Sequence, residues 1–254
     1  MDTNENMGTN ENNEESNGNS ESSENEIKWS ILDVLLVLVF VVILTRIFEW
    51  LMPLLIGNIV ITQKHLIGIV FQNAAIILIV VYFNIIKGVT WKEIGIRTES
   101  LSKVLKYGVF GGIFILALVV ITGLITELIF PTDSSLQPFA EIVLGAMGYS
   151  DLIILLIIGA ILVPIGEEIY FRGMVYPAFK KKWGLIAGMV ISGAFFSLLH
   201  FDALRFLPLL LSGVVLAYIY EKSNSLFPCM LAHGLWNGTM IFLLYYSADY
   251  FAGF

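Results

Sequence analysis

The 254-residue sequence has little cysteine and little charge. Its single cysteine, Cys229 in LFPCMLAH, excludes an intramolecular disulfide and any CxxC metal site, and we interpret it as a small buried apolar residue. Charged residues make up 14% of the chain, whereas hydrophobic residues make up 57%, above the roughly 45–50% of soluble domains. The mean hydropathy of +0.82 agrees with this excess. The composition therefore predicts a polytopic membrane protein.

The first 27 residues lack basic side chains altogether. They contain eight acidic residues and are otherwise dominated by Asn, Ser and Gly, so they cannot bury enough apolar surface to fold. We predict a disordered acidic tail over 1–27 and one membrane-embedded domain over 28–254. The net charge of −7 belongs mostly to the tail, because the rest of the chain has 13 acidic and 14 basic residues. A cleaved signal would begin with basic residues followed at once by an apolar core. This N-terminus has neither, so we expect the first span to be kept as an anchor.

Long apolar stretches predict an all-α membrane helix bundle. A span needs about 20 predominantly apolar residues. By this rule we predict about seven to eight transmembrane helices, seven of them near 31–52, 66–86, 104–129, 151–178, 184–201, 206–221 and 226–247. Pro53 could break the first helix, or the stretch around it could hold a re-entrant segment.

Basic residues indicate the orientation of these spans. They crowd the second, fourth and sixth connections, whereas the third connection, 131–150, has none. Only Lys64 and Arg205 lie in connections on the opposite side. By the positive-inside rule the N-terminus is cytoplasmic. We expect an integral multi-pass protein of a prokaryotic plasma membrane, with the lipid bilayer as its surroundings and no nucleic-acid partner.

Three polar clusters interrupt the apolar spans. Glu167, Glu168 and Arg172 lie in IIGAILVPIGEEIYFRGMV, His200 ends FFSLLH, and His233 begins HGLWN. Ionisable groups inside the membrane cost about 2.5–3.5 kcal/mol each on insertion scales, so they usually serve a function. Each cluster contains a pair four residues apart, which shares one helix face.

Such a constellation can activate water. Within a helix Glu167 lies about 100° from Glu168, so Arg172 can pair with one carboxylate while the other faces a cavity. A carboxylate can take a proton from water, a histidine such as His200 can relay it, and His233 with Asn237 can supply donors to an oxyanion. Glu167, His200 and His233 could instead bind a divalent metal such as zinc, although no HExxH spacing is present.

The three clusters also match a known family. GEEIYFRG, FFSLLH and HGLWN resemble, in order and spacing, the EExxxR, FxxxH and HxxxN motifs of the CPBP (Abi-like) family, which groups type II CAAX prenyl endopeptidases with bacteriocin-processing and immunity proteins. The resemblance covers about 90–240, including WKEIG at Trp91. It implies glutamate-dependent proteolysis within the membrane.

The resemblance also implies roles for individual residues. Glu167 would activate water with help from His200, and His233 with Asn237 would stabilise the oxyanion. Glu168 and Arg172 would form a structural ion pair near the site. We expect no cofactor, and zinc held by Glu167, His200 and His233 is the alternative.

Two classes of function follow from these observations. The first is an intramembrane endopeptidase that cleaves a membrane-associated protein or peptide. The second is a non-catalytic membrane protein, either an immunity or scaffold protein or a proton-coupled transporter, that uses the same polar groups for binding or relay. A transporter usually has internal repeats, and the membrane region has none that we detect.

Overall fold

The computed structural model describes residues 28–57, 60–130 and 138–251, with side chains as far as 247. The predicted acidic tail, 1–27, lies outside these residues. Over the described ranges the chain is all-helical, as predicted, and contains no strand. The helices are α1 (Ile31–Ile56), α2 (Ile61–Lys87), α3 (Leu101–Ile129), α4 (Pro138–Leu144), α5 (Tyr149–Trp183), α6 (Leu185–Leu198), α7 (Phe206–Ser223) and α8 (Leu226–Phe251).

Six of the helices in the described ranges are long and apolar enough to cross a membrane: α1, α2, α3, α5, α7 and α8. The protein is therefore an integral multi-pass membrane protein. The span predicted at 184–201 is shorter than expected, because α6 has 14 residues and so extends only about 21 Å at about 1.5 Å per residue. A hydrocarbon core is about 30 Å thick, so α6 ends inside it unless the bilayer thins.

Two other features differ from the sequence-based expectation. First, α1 continues through Pro53 and ends before Gly57, so Pro53 neither breaks the helix nor starts a re-entrant segment. Second, the third connection contains the short helix α4, whose Ile142 and Val143 are buried against α5 and α8. A helix of one or two turns gives too weak a periodic pattern to be recognised within an apolar sequence.

At one end of the bundle lie the starts of α1, α3 and α8 and the end of α2. Ser30 caps α1 in a capping box with Asp33, and Lys87 at the end of α2 lies 3.0 Å from the Asp33 carboxylate. The loop after α2 contacts the start of α8, where the Leu226 amide donates to the Gly95 carbonyl at 2.8 Å. Gly95 has φ +89° and lies against the Tyr220 ring, a position that accepts only glycine.

Helix α5 lies at the centre of the bundle. Its second half is almost wholly buried, and it packs against α2, α6, α7 and α8. Close approach of α6 and α7 depends on Gly193 and Gly213, which face each other so tightly that a Cβ on Gly213 would lie 2.7 Å from the Gly193 Cα. This packing brings residues from four helices around the two glutamates.

Candidate active site

Helix α5 changes its winding on both sides of the glutamates. Residues Ile157–Leu162 and Phe171–Val175 form π-helical turns, and Val163–Tyr170 between them is regular α-helix. Pro164 lacks an amide hydrogen and so cannot complete the α-type bond to the carbonyl four residues earlier, which favours the wider turn before it. Such π turns recur at functional sites because they redirect side chains and free backbone carbonyls.

Glu168 and Arg172 form an ion pair inside the protein. Both side chains are fully buried, and the Arg172 Nη1 donates to Glu168 Oε1 at 2.9 Å. Arg172 Nη2 donates to the Gly213 carbonyl of α7 at 3.1 Å, and the guanidinium lies 5.1 Å from the centroid of the Phe196 ring. The arginine therefore joins α5, α6 and α7.

His233 lies between the two neighbouring carboxylates. Its Nδ1 is 2.8 Å from Glu168 Oε1, and its Nε2 is 3.7 Å from Glu167 Oε2. Since a carboxylate accepts hydrogen bonds, Nδ1 carries the proton on the Glu168 side. The imidazole is 2% exposed and stacks on Trp236, with ring centroids 5.3 Å apart. The sequence interpretation grouped His233 with Asn237 and, in the zinc alternative, with Glu167 and His200, and did not include this contact with Glu168.

His200 approaches the site from the end of α6. Its Nδ1 lies 2.8 Å from the Phe196 carbonyl, one helical turn earlier. A carbonyl can only accept, so Nδ1 donates and the neutral ring keeps a free lone pair on Nε2. The Phe196 ring separates the two histidines, with centroids 4.8 Å from His200 and 5.9 Å from His233. His200 is thus held with an acceptor nitrogen available for a proton.

Asn237 contacts the backbone of the first π turn. Its Nδ2 donates to the Gly159 carbonyl at 2.9 Å. An amide nitrogen has two hydrogens, so one N–H of Asn237 is left for another acceptor. At the same interface Gly234 packs directly on the Ala160 carbonyl, where a Cβ would clash. Both residues of α8 therefore contact the π turn of α5 directly.

A single cavity connects these groups. It has a volume of about 870 Å³ and is lined by Glu167, His200, His233 and Asn237, together with mainly apolar side chains from α2, α3, α4, α7 and α8. Glu168 and Arg172 do not line it and lie behind His233. Glu167 retains 20% side-chain exposure, whereas Glu168 has none. The two adjacent carboxylates thus occupy different environments, one facing the cavity and one in the protein interior.

The zinc alternative concerns Glu167, His200 and His233. Among the residues that the structure describes, no group of three or more His, Cys, Asp or Glu side chains is arranged to hold a metal ion. His233 Nδ1 is bonded to Glu168, and its Nε2 faces Glu167. His200 Nδ1 is bonded to a carbonyl. The described structure thus does not gather Glu167, His200 and His233 as one ligand set, although both histidines keep the Nε2 through which they could bind a metal.

Sequence reasoning missed three groups at this site. The carbonyls of Gly159 and Gly213 accept from Asn237 and Arg172, and backbone acceptors of this kind leave no trace in residue types. Asn73 of α2 also lines the cavity. Its signal was present, since Gln72 and Asn73 form a polar pair inside the predicted span 66–86.

Comparison with known proteins now adds to this geometry. Residues 149–239 match the family model "Type II CAAX prenyl endopeptidase Rce1-like". This region is Rce1-like. The predicted resemblance to the CPBP family is thereby confirmed for a segment that contains all six predicted site residues. The WKEIG motif and helices α1 to α3 lie outside the Rce1-like region. Searches of the curated proteins and of the solved structures found no match.

Proposed function

We propose that this protein is an intramembrane endopeptidase that hydrolyses a peptide bond of a membrane-associated protein or peptide. The observation that carries the proposal is the cavity in which Glu167, His200, His233 and Asn237 meet within the Rce1-like region. Proteases of this kind need a base, a proton relay and donors for an oxyanion around one space. The four side chains supply these chemical types.

In the proposed reaction Glu167 is the base. A water molecule donates a hydrogen bond to its carboxylate and attacks the carbonyl carbon of the substrate, and the proton passes to Glu167. The carbon–nitrogen bond then breaks, and the proton is delivered to the leaving amine with help from His200. The water thus contributes OH to the new carboxyl terminus and H to the new amino terminus.

His233 and Asn237 would stabilise the oxyanion formed by this attack. Donation by His233 to the oxyanion would need a proton on Nε2, because its Nδ1–H is already directed at Glu168. Protonated His233 has an Nε2–H next to Glu167, and Asn237 has its second N–H. Both donors would act in a cavity lined mainly by apolar side chains, where hydrogen bonds to charge are stronger than in water.

Glu168 and Arg172 are positioning residues in this proposal. The ion pair fixes His233 Nδ1 from behind and leaves the Nε2 side facing the cavity. A second hydrogen bond that orients a histidine is a common device at catalytic sites. Neither side chain lines the cavity, so neither would touch the substrate.

The lining of the cavity supports a substrate that lies in the bilayer. Val120 and Leu124 of α3 line one side of the cavity and are themselves exposed on the bundle surface. We propose a cytoplasmic N-terminus, because Lys87, Lys180 and the other basic residues at the ends of α2, α5 and α7 lie at the end of the bundle where α1 begins. The acidic tail would take no part in catalysis.

The proposal can be tested in proteoliposomes with quenched fluorogenic peptides. One peptide would be farnesylated with a CAAX ending, one would have the same sequence without the lipid, and one would be an unrelated transmembrane segment. Cleavage by wild type that disappears in Glu167→Gln supports the proposal. Comparison of membrane proteomes from wild-type and Glu167→Ala cells extends the test to natural substrates. Equal processing by wild type and both variants would favour a non-catalytic membrane protein.

A further inference from the structure

The cavity extends from the proposed catalytic groups toward one end of the bundle. On α8 its lining begins at His233 and ends at Ser247, a distance of about 21 Å at about 1.5 Å per residue. On α5, Glu167 is the last residue that lines it. Helix α8 begins and α5 ends at the end of the bundle that holds Lys87 and Lys180, which we call the lysine end. The cavity therefore lies between the proposed catalytic groups and the opposite end.

Packed side chains separate the cavity from the lysine end. Residues 168–179 of α5 are all buried, and they include the ion pair of Glu168 with Arg172. One turn of helix nearer the lysine end, Gly173 packs against the Ile94 carbonyl and the Leu226 side chain. A substrate that came from the lysine end would have to displace this layer before it reached Glu167. The opposite half of the bundle is therefore the side from which the site can be entered.

Helices α3 and α8 start at the same end and separate along their length. Nearer the lysine end they touch, since a Cβ on Gly112 would be 3.0 Å from the Ala232 carbonyl oxygen. Three turns further along α3, Gly123 lines the cavity, and no described residue lies within 4 Å of the place of its Cβ. Beside this gap Leu124 of α3 and Leu243 of α8 also line the cavity, and they are 67% and 55% exposed. Because these side chains reach both the cavity and the bundle surface, the cavity opens between α3 and α8.

The size of the cavity favours an extended peptide over a helix. A helix with its side chains is about 10–12 Å wide, so 21 Å of helix would occupy about 1,600 Å³ or more. The cavity volume is about 870 Å³. An extended chain rises about 3.3 Å per residue, so about six residues span the same length. Its carbonyls are also free for attack, whereas those of a helix are hydrogen-bonded. The mainly apolar lining fits apolar side chains.

We infer that the substrate is an apolar transmembrane segment that enters between α3 and α8, in the half of the bilayer remote from the lysine end. The inference rests on the proposed function and names its substrate class and route. The scissile carbonyl would lie beside Glu167, and about six residues on one side of it would lie extended along α8 toward Ser247. With the cytoplasmic N-terminus proposed above, the segment enters from the outer half of the membrane. Of the three peptides named above, the transmembrane segment is then the expected substrate.

Photo-cross-linking tests the route without relying on cleavage. The photoreactive residue p-benzoylphenylalanine would replace Leu124 in one variant and Ile113 in another. Both side chains lie on the same face of α3 three turns apart and are well exposed, at 67% and 57%, but only Leu124 lines the cavity. In the Glu167→Gln protein, the transmembrane peptide should cross-link from position 124 and not from position 113. No cross-link from position 124, or equal cross-linking from both positions, would overturn the inferred route.

A larger side chain in the opening should obstruct it. Gly123→Leu fills space at the entrance without a clash, because its Cβ would meet no described atom. Gly68 of α2 has equally open surroundings but does not line the cavity, so Gly68→Leu is the matched control. A hydrophobic site discriminates one methylene by about 10–200-fold, so we expect Gly123→Leu to lower kcat/KM for the transmembrane peptide at least about 10-fold. Gly68→Leu should keep the wild-type value.

The outcomes separate this inference from the proposed function. Wild-type kcat/KM in Gly123→Leu, or an equal loss in Gly68→Leu, would overturn the entrance between α3 and α8 while leaving the endopeptidase standing. Preferred cleavage of the farnesylated CAAX peptide over the transmembrane segment would overturn the substrate class. Equal cleavage by wild type and Glu167→Gln would instead reject the proposed function. If Gly123→Leu does not accumulate in the membrane, the cross-linking comparison decides the route by itself.

Discussion

Helices α3 and α5 are both long and apolar, yet they occupy opposite environments. In α3, 17% of the most apolar stretch is buried, and in α5 the share is 44%. The acidic residue of α3, Glu127, lies exposed near its end, whereas Glu167, Glu168 and Arg172 lie in the middle of α5. Hydropathy therefore identifies both as spans but does not tell the outer helix from the inner one.

The difference follows from lipid as a solvent. Lipid tails are as apolar as leucine, so burial of apolar side chains does not separate the inside of a membrane protein from its outside. Charged side chains do, because they must face one another or a cavity. In α5 a buried ion pair and two π turns occur together, whereas α3 is regular α-helix with its charged residues near its ends. Substitutions in the two regions should therefore have very different effects.

The largest contrast is expected between Glu167→Gln and Glu127→Gln. Glu167→Gln removes the proposed base and should lower kcat at least 100-fold, within the range of about 10²–10⁴ for general-base catalysis. Its thermal midpoint in detergent should change little, because the side chain faces the cavity. Glu127→Gln on α3 should change neither property. Full peptide cleavage by Glu167→Gln would remove it from the mechanism.

A second contrast concerns ion pairs. Arg172→Ala leaves Glu168 as a buried charge without its cation and should cost about 3–5 kcal/mol of unfolding free energy. Arg46 pairs with Glu49 on the exposed surface of α1, also at 2.9 Å, and Arg46→Ala should cost less than about 1 kcal/mol. Folded yield and thermal midpoint in detergent measure both. Equal stability of the two variants would show that the interior pair is dispensable.

A smaller contrast concerns helix packing. Gly234→Ala places a methyl group against the Ala160 carbonyl and should destabilise the protein by about 1–3 kcal/mol through overpacking. Gly68 of α2 has open space where its Cβ would be, so Gly68→Ala should be neutral or stabilising by up to about 1 kcal/mol. Thermal unfolding of both variants checks this. A tolerated Gly234→Ala would mean that α5 and α8 can move apart without loss.

The sequence predicted the helices well because the bilayer requires a fixed length of apolar residues. Both ends of α2, α5 and α7 lie within five residues of the predicted ones. It could not predict α4, which is too short for a periodic signal, nor the continuation of α1 through Pro53, which depends on neighbours that only the fold supplies. Hydropathy also overestimated α6, since the apolar run continues into the turn before His200.

At the site, helical spacing predicted which side chains share a face but not which helices meet. The pairing of Glu168 with Arg172 follows from a spacing of four residues and is present. The bond between Glu168 and His233 joins residues 65 positions apart and has no local signal. The π turns before and after Val163–Tyr170 rotate the helix by an amount that regular periodicity cannot anticipate. The catalytic roles themselves are still predictions.

The smallest effect is expected from metal removal. This experiment tests whether the side chains in the interior of α5 carry out the reaction without a metal. In the proposed mechanism the Nε2 of His233, 3.7 Å from Glu167 Oε2, donates to the oxyanion, and a metal bound to this nitrogen would prevent that. We therefore expect purified protein treated with a strong chelator to keep its peptide-cleaving activity, and elemental analysis to find less than one zinc per chain. If Glu167, His200 and His233 regroup around zinc, the metal would lower the pKa of a bound water to about 7, and its removal would stop the reaction. If chelation stops the activity and zinc alone restores it, Glu167 would be a metal ligand and not the base. The contrast between the charged interior of α5 and the lipid-facing surface of α3 would be unchanged.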